Sequence, residues 1–193
     1  ATPIAGADCL DPQYEDLYGP ALPHTAWGTK DENGRLDYMD LTPLPDKAFN
    51  DQWLGKIKEV VDNYHPDLIW FDNRMHSIDE THRLEMTAHY YNQAARRNQE
   101  VGLTYKNKDI ANGAGVIDLE RSRMPDIYPD PWLTDTSIAR NSWSYCPRLD
   151  YYSAERLIHD LIDIVSKNGC MLLNIAPHPN GSIPEPQKER LRA

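Results

Sequence analysis

Two acids in this 193-residue sequence stand where an apolar run meets a loop. Asp72 closes "YHPDLIWFD", in which Leu68, Ile69, Trp70 and Phe71 follow one another without a polar break. Glu120 lies in "GVIDLERSR", at the end of a second, shorter apolar stretch. In parallel α/β folds the chemistry collects at the C-terminal ends of strands, which converge on one rim. Two carboxylates facing each other there are what glycoside hydrolysis requires. One is ionised to attack or stabilise the anomeric carbon, and the other keeps its proton, which a desolvated setting favours. The plainer reading is that a strand-end acid caps a helix or pairs with an arginine. The sequence carries 30 acids, nearly all destined for solvent, and Arg121 and Arg123 adjoin Glu120 as candidate ion-pair partners.

The elements that must position these residues follow from periodicity. Trp53, Ile57, Val60, Val61 and Tyr64 recur at helical spacing until Pro66. This helix leads into the strand "PDLIWFD". Ser77 with Glu80 has the pattern of a capping box, and Leu84, Ala88, Tyr91 and Ala95 mark the stripe of a helix to about residue 98. "EVGLTYK" and "GVIDLER" are short strand candidates, and "PWLTDTSI" is a weaker third. An amphipathic helix from Ser153 to about Lys167 carries Leu157, Leu161, Ile164 and Val165. Asn168-Gly169 stops it before the apolar strand "CMLLNIAP", and a last helix follows "HPNGSIPEPQ".

Apolar strands separated by amphipathic helices predict a parallel sheet, an α/β fold. Five strands make an incomplete barrel, since a closed eight-stranded one takes about 250 residues. An open sheet is the alternative, although the Gly-rich phosphate turn typical of that class is missing. Residues 1–45, rich in Pro, Gly, Asp and Tyr, read as a long loop or insertion.

Composition narrows the partners. The net charge of −10, with no cluster of bases, disfavours nucleic acid. No apolar run approaches the ~20 residues that span a bilayer. Cys9, Cys146 and Cys170 show no metal-ligand spacing, so no metal is expected; one disulfide or three free thiols both remain open.

The stretches "YHPDLIWFD", "LTYKNKD", "GVIDLERSRMPDIYPDPWLTDTSIARNSWSY" and "LIDIVSKNGCMLLNIAPHPNGSIPE" together resemble the α-L-fucosidases of glycoside hydrolase family 29, in the family's order from about residue 46 to 190. The resemblance implies a retaining hydrolase on a (β/α)8-like (TIM-type) barrel, of which this chain carries the C-terminal five strands. On it, Asp72 matches the nucleophile and Glu120 the general acid/base. Trp70 and Trp143 match aromatics beside the fucose, and Lys106 falls where some relatives place a basic pocket residue. The implied substrate is a fucosylated oligosaccharide or glycoconjugate, with no cofactor, no metal, no nucleic acid and no membrane. Family members are commonly secreted, periplasmic or lysosomal. Asn73 replaces a glycine that many relatives carry.

The family's upstream His-rich strands have no counterpart here. Residues 1–193 therefore read as a partial catalytic domain, an excerpt cut at both ends and expected to have little activity by itself. The missing part of the barrel, or another chain, would cover its open strand edges. Two rival readings stand beside this one: a barrel glycosidase for another sugar, and a non-catalytic carbohydrate-binding remnant.

Overall fold

The structure is a computed structural model that describes residue 8 and residues 11–14, 44–72, 74–106 and 109–193. Most of the expected loop over residues 1–45 lies outside the described residues, as do Cys9 and Asn73. Helix α1, Lys47–Tyr64, starts where the Asp46 carboxylate accepts from the Phe49 amide at 2.8 Å, satisfying one orphan donor of the first turn. It is followed by strand β1, Leu68–Trp70, and helix α2, Glu80–Arg96. Strands β2, Gly102–Lys106, β3, Val116–Asp118, and β4, Trp132–Ser137, come next without a long helix between them. Helix α3, Ala154–Ser166, strand β5, Gly169–Asn174, and helix α4, Glu185–Arg192, complete the chain.

The five strands pair in parallel and in sequence order, forming half of a barrel wall. Trp70 stands beside Thr104, Lys106 beside Asp118, and Asp118 beside Leu133. Because side chains alternate along a strand, this register puts Trp70, Lys106, Asp118 and Asp135 on one face. Ile69, Leu103, Tyr105 and Ile117 fall on the other, where the helices cover them. Leu54 and Val61 of α1, Met86 and Tyr90 of α2, and Leu103 and Tyr105 of β2 form the main core with Met75 and Ile110. Around β4, Trp132 is fully buried and its indole donates to the Lys167 carbonyl at 2.9 Å.

Several local expectations shift. The buried stripe of α2 runs through Met86, Tyr90 and Ala94, and Leu84 is exposed. Tyr90 sets that rotation, since its hydroxyl donates to the carbonyls of Pro66 and Gly102. Ser77 does not cap α2. It belongs to a 3-10 turn, Met75–Ser77, its hydroxyl donating to the Arg74 carbonyl, and Asp79 is the capping residue. The α2 start is instead tied to α1 by Asn50, whose side-chain oxygen accepts from the Asp79 amide at 3.0 Å. Strand β4, the weakest on sequence, equals β5 in length at six residues. Thr134, Asp135, Thr136 and Ser137 hide its strand character, and the Thr134 and Ser137 hydroxyls and the Asp135 carboxylate make internal hydrogen bonds. Ser153 does cap α3, accepting from the Arg156 amide at 3.1 Å. Among the described residues no helix is long and apolar enough to cross a membrane.

Two substitutions test this packing. A Cβ at Gly169 would lie 2.5 Å from the Trp132 ring and 2.8 Å from the Ile164 side chain. Gly169→Ala is expected to lower stability by about 1–3 kcal/mol, the usual cost of overpacking, read as a reduced midpoint in chemical denaturation. Tyr90→Phe leaves two carbonyls without their shared donor and is expected to cost about 1 kcal/mol in the same assay.

Candidate active site at the strand ends

The rim is built from β1 to β4. β1 is held against β2 up to the Phe71 amide, which donates to the Thr104 carbonyl at 3.3 Å, so Asp72 leaves the sheet one residue later. Its side chain is about two-thirds exposed. Glu120 follows Asp118 by two positions, so both acids point to the same face, and half of the Glu120 side chain meets solvent.

Lys106 joins them. The side chain is 5% exposed, and its Nζ lies 2.8 Å from Asp135 Oδ1, 3.2 Å from Glu120 Oε2, 3.6 Å from Asp72 Oδ1 and 3.7 Å from Asp118 Oδ2. The Asp72 and Glu120 oxygens can therefore be no farther apart than about 7 Å. Trp70 flanks the same ammonium, with Nζ 5.5 Å from its ring centre. Its indole N–H donates to Asp118 Oδ2 at 2.8 Å, which fixes the ring against the wall. Asp118 is closed off further by the Asp135 amide, which donates to its Oδ1 at 3.0 Å.

The electrostatics follow from four acids around one base. Burial is the largest influence on Asp118; with the nearby charge of Asp135 it pushes the carboxyl up to about 6, against the Trp70 N–H, the Lys106 charge and the Asp135 amide. Burial works to lower Lys106. The hydrogen bond to Asp135 and the charges of Asp118 and Asp135 outweigh it and hold the ammonium above its ordinary range.

Neither neighbouring arginine pairs with Glu120 in the contacts that define its position. Arg121 takes a left-handed backbone, φ 47°, and turns its guanidinium to Ser137 Oγ at 2.9 Å and to the carbonyls of Ala139 and Arg140. There it stacks 4.1 Å over the ring of Trp143. Arg123 pairs with Asp160 and Asp163 of α3. The Trp143 carbonyl accepts from Asn174 Nδ2 at 2.6 Å, so the end of β5 also holds this loop.

The structure thus gathers Asp72, Glu120, Lys106 and Trp70 around one point, and places Trp143 on the next loop along the rim. Asp118 and Asp135 were missed by sequence reasoning. The alternation D-x-E over 118–120 was a usable signal for Asp118; nothing local distinguished Asp135 within "WLTDTSI".

The chain is similar to known proteins. A family model described as Alpha-L-fucosidase matches residues 7–193. The tissue alpha-L-fucosidase of Rattus norvegicus is 30% identical over 147 residues, covering 72% of this chain and 32% of that protein. The plasma alpha-L-fucosidase of Homo sapiens is 28% identical over 145 residues, covering 72% and 31%. Among solved structures, an alpha-L-fucosidase superposes with a TM-score of 0.63 at 25% identity, covering 78% of this chain and 33% of that one. The Thermotoga maritima alpha-fucosidase in complex with fucose gives 0.59 at 25% identity, covering 76% and 32%. The chain thus spans about a third of the length of the relatives it matches. With a family match that runs over nearly its whole length, the chain belongs to the alpha-L-fucosidase family.

Proposed function

We propose that this chain supplies the catalytic rim of a retaining glycosidase that releases L-fucose from fucosylated oligosaccharides or glycoconjugates. The observation that carries the reading is the placement of Asp72 and Glu120 on one rim, beyond β1 and β3 on either side of Lys106 of β2, with oxygens under about 7 Å apart. Retaining pairs lie about 5–5.5 Å apart and inverting pairs about 6.5–9.5 Å. A ceiling of about 7 Å between these two oxygens is compatible with the first class and supports the retaining reading. Family membership supports the choice of sugar, as does the fucose bound in the Thermotoga maritima relative.

In this reading the Asp72 carboxylate attacks the anomeric carbon while the bond to the aglycone oxygen breaks and Glu120 gives that oxygen its proton. Water then attacks the same carbon, Glu120 takes a proton from it, and the ester bond to Asp72 breaks. L-Fucose leaves with its configuration retained. Trp70 and Trp143 offer apolar faces to the methyl and C–H side of the sugar. Trp70 is fitted for this because its one polar atom is already satisfied by Asp118. Lys106 is the basic group of the pocket, and the two acids perform the steps without a cofactor.

The test is made on the full-length protein that contains this chain. Asp72→Gly is expected to abolish turnover of an aryl α-L-fucoside, and added azide to restore it with formation of the inverted β-fucosyl azide. Glu120→Ala is expected to lower kcat/KM by about 10²–10⁴-fold on substrates with poor leaving groups, and far less on those with acidic phenols. In this variant azide yields the retained α-fucosyl azide. A parent protein that binds fucose without cleaving any fucoside, unaffected by Asp72→Asn, would sink the catalytic reading in favour of a binding role.

A further inference from the structure

The Lys106 ammonium has three N–H donors. One serves Asp135 at 2.8 Å and one serves Glu120 at 3.2 Å, and Asp72 stands 3.6 Å away on the remaining side. Two donors are thus engaged in hydrogen bonds, and the ammonium is also within ion-pair distance of Asp72 and, at 3.7 Å, of Asp118. The stem is buried in the wall of β2, and Nζ is braced by Asp135 of β4, Asp118 of β3 and the Trp70 ring of β1. The cation is fixed in place, and it stays charged because its partners outweigh its burial.

We propose that Lys106 acts as a positioning residue, the shared counter-ion of Asp72 and Glu120, and not as a ligand of the sugar. The inference rests on the fucosidase reading above. When Asp72 attacks, its carboxylate becomes an ester and loses its charge; as Glu120 yields its proton to the leaving oxygen, it becomes a carboxylate. The second half-reaction returns both groups to their starting forms. The total charge beside Lys106 is the same throughout, and only its address changes, by less than about 7 Å. A fixed cation in reach of both addresses stabilises each state without reorganising solvent, which is how preorganised charge lowers a barrier.

The groups that face Lys106 are Asp72 beyond β1, Asp118 and Glu120 on and beyond β3, and Asp135 on β4. Arg121 is turned away toward Ser137 and Trp143. Two variants of the full-length protein should consequently move the pH profile in opposite directions. In Lys106→Met the loss of the cation disfavours the ionised form of both acids. Both limbs of kcat/KM against pH on an aryl α-L-fucoside are expected to shift upward by about one unit or more, as for removal of an opposite charge at this range. In Asp135→Asn one negative charge is gone and Lys106 is less compensated, so both limbs are expected to shift downward. Lys106→Arg, which keeps the charge, should leave the limbs near those of the parent.

Limbs that stay put in Lys106→Met while KM rises would make Lys106 a sugar ligand and overturn the inference. If Lys106→Met does not fold, Asp135→Asn decides alone: a downward shift supports the shared counter-ion, and an unmoved profile overturns it. Failure of the parent protein to cleave any fucoside overturns the fucosidase reading itself, which separates the two failures.

Discussion

One buried positive charge holds this rim together. An ammonium removed from water is tolerated only when it is paired and hydrogen-bonded, and Lys106 meets that condition with acids from three different places on the sheet. The reverse also holds. Asp118 has a fully buried side chain, and Asp135 is nearly as enclosed. Without Lys106 between them, two buried acids would face each other with only a backbone amide and an indole to offset their charge. The charge cluster therefore constrains the sheet: β2, β3 and β4 must keep the register that brings Lys106, Asp118 and Asp135 together. The pairings Lys106 with Asp118 and Asp118 with Leu133 are that register.

The helices have a simpler task. α1 and α2 bury one face each against Leu103 and Tyr105, and Asn50 and Tyr90 lock them to the loops beside β1 and β2. α3 packs on the far side of β4 and β5, where Trp132 and Gly169 fit each other too closely to admit another methyl group. This separation leaves one face of the sheet to polar chemistry and the other to packing. Lys106 in the first and Tyr105 in the second are adjacent in sequence.

Much of this was legible before the fold was known. Unbroken apolar runs gave away β1 and β5, and the amphipathic spacing of 153–167 gave away α3 with its Ser153 cap. Asp72 could be singled out because an acid ending a run as apolar as Leu68–Phe71 is conspicuous. Other features were hidden for definite physical reasons. β4 ends in threonines, an aspartate and a serine, and the Thr134 hydroxyl and the Asp135 carboxylate are satisfied by partners distant in sequence, the Leu119 carbonyl and Lys106. The stripe of α2 was misplaced by a fraction of a turn because Tyr90, polar at its tip, is wholly buried through two long-range hydrogen bonds. Lys106 was visible as a basic residue, but its surroundings were not, since all four of its acids lie more than ten positions away.

The left-handed turn at Arg121 ties together two parts of the rim that are usually thought of as separate. The backbone that carries Glu120 continues directly into a guanidinium seated on Trp143, and that seat is pinned by carbonyls of residues 139 and 140. The loop over 139–145 is thereby a lever with the acid at its short end. A change of loop sequence that tilts the indole has to move the Arg121 guanidinium stacked on it, one residue from Glu120. The backbone beside Glu120 and the loop that carries Trp143 are thus joined through one side chain, so the loop and position 121 would have to be redesigned as a single unit.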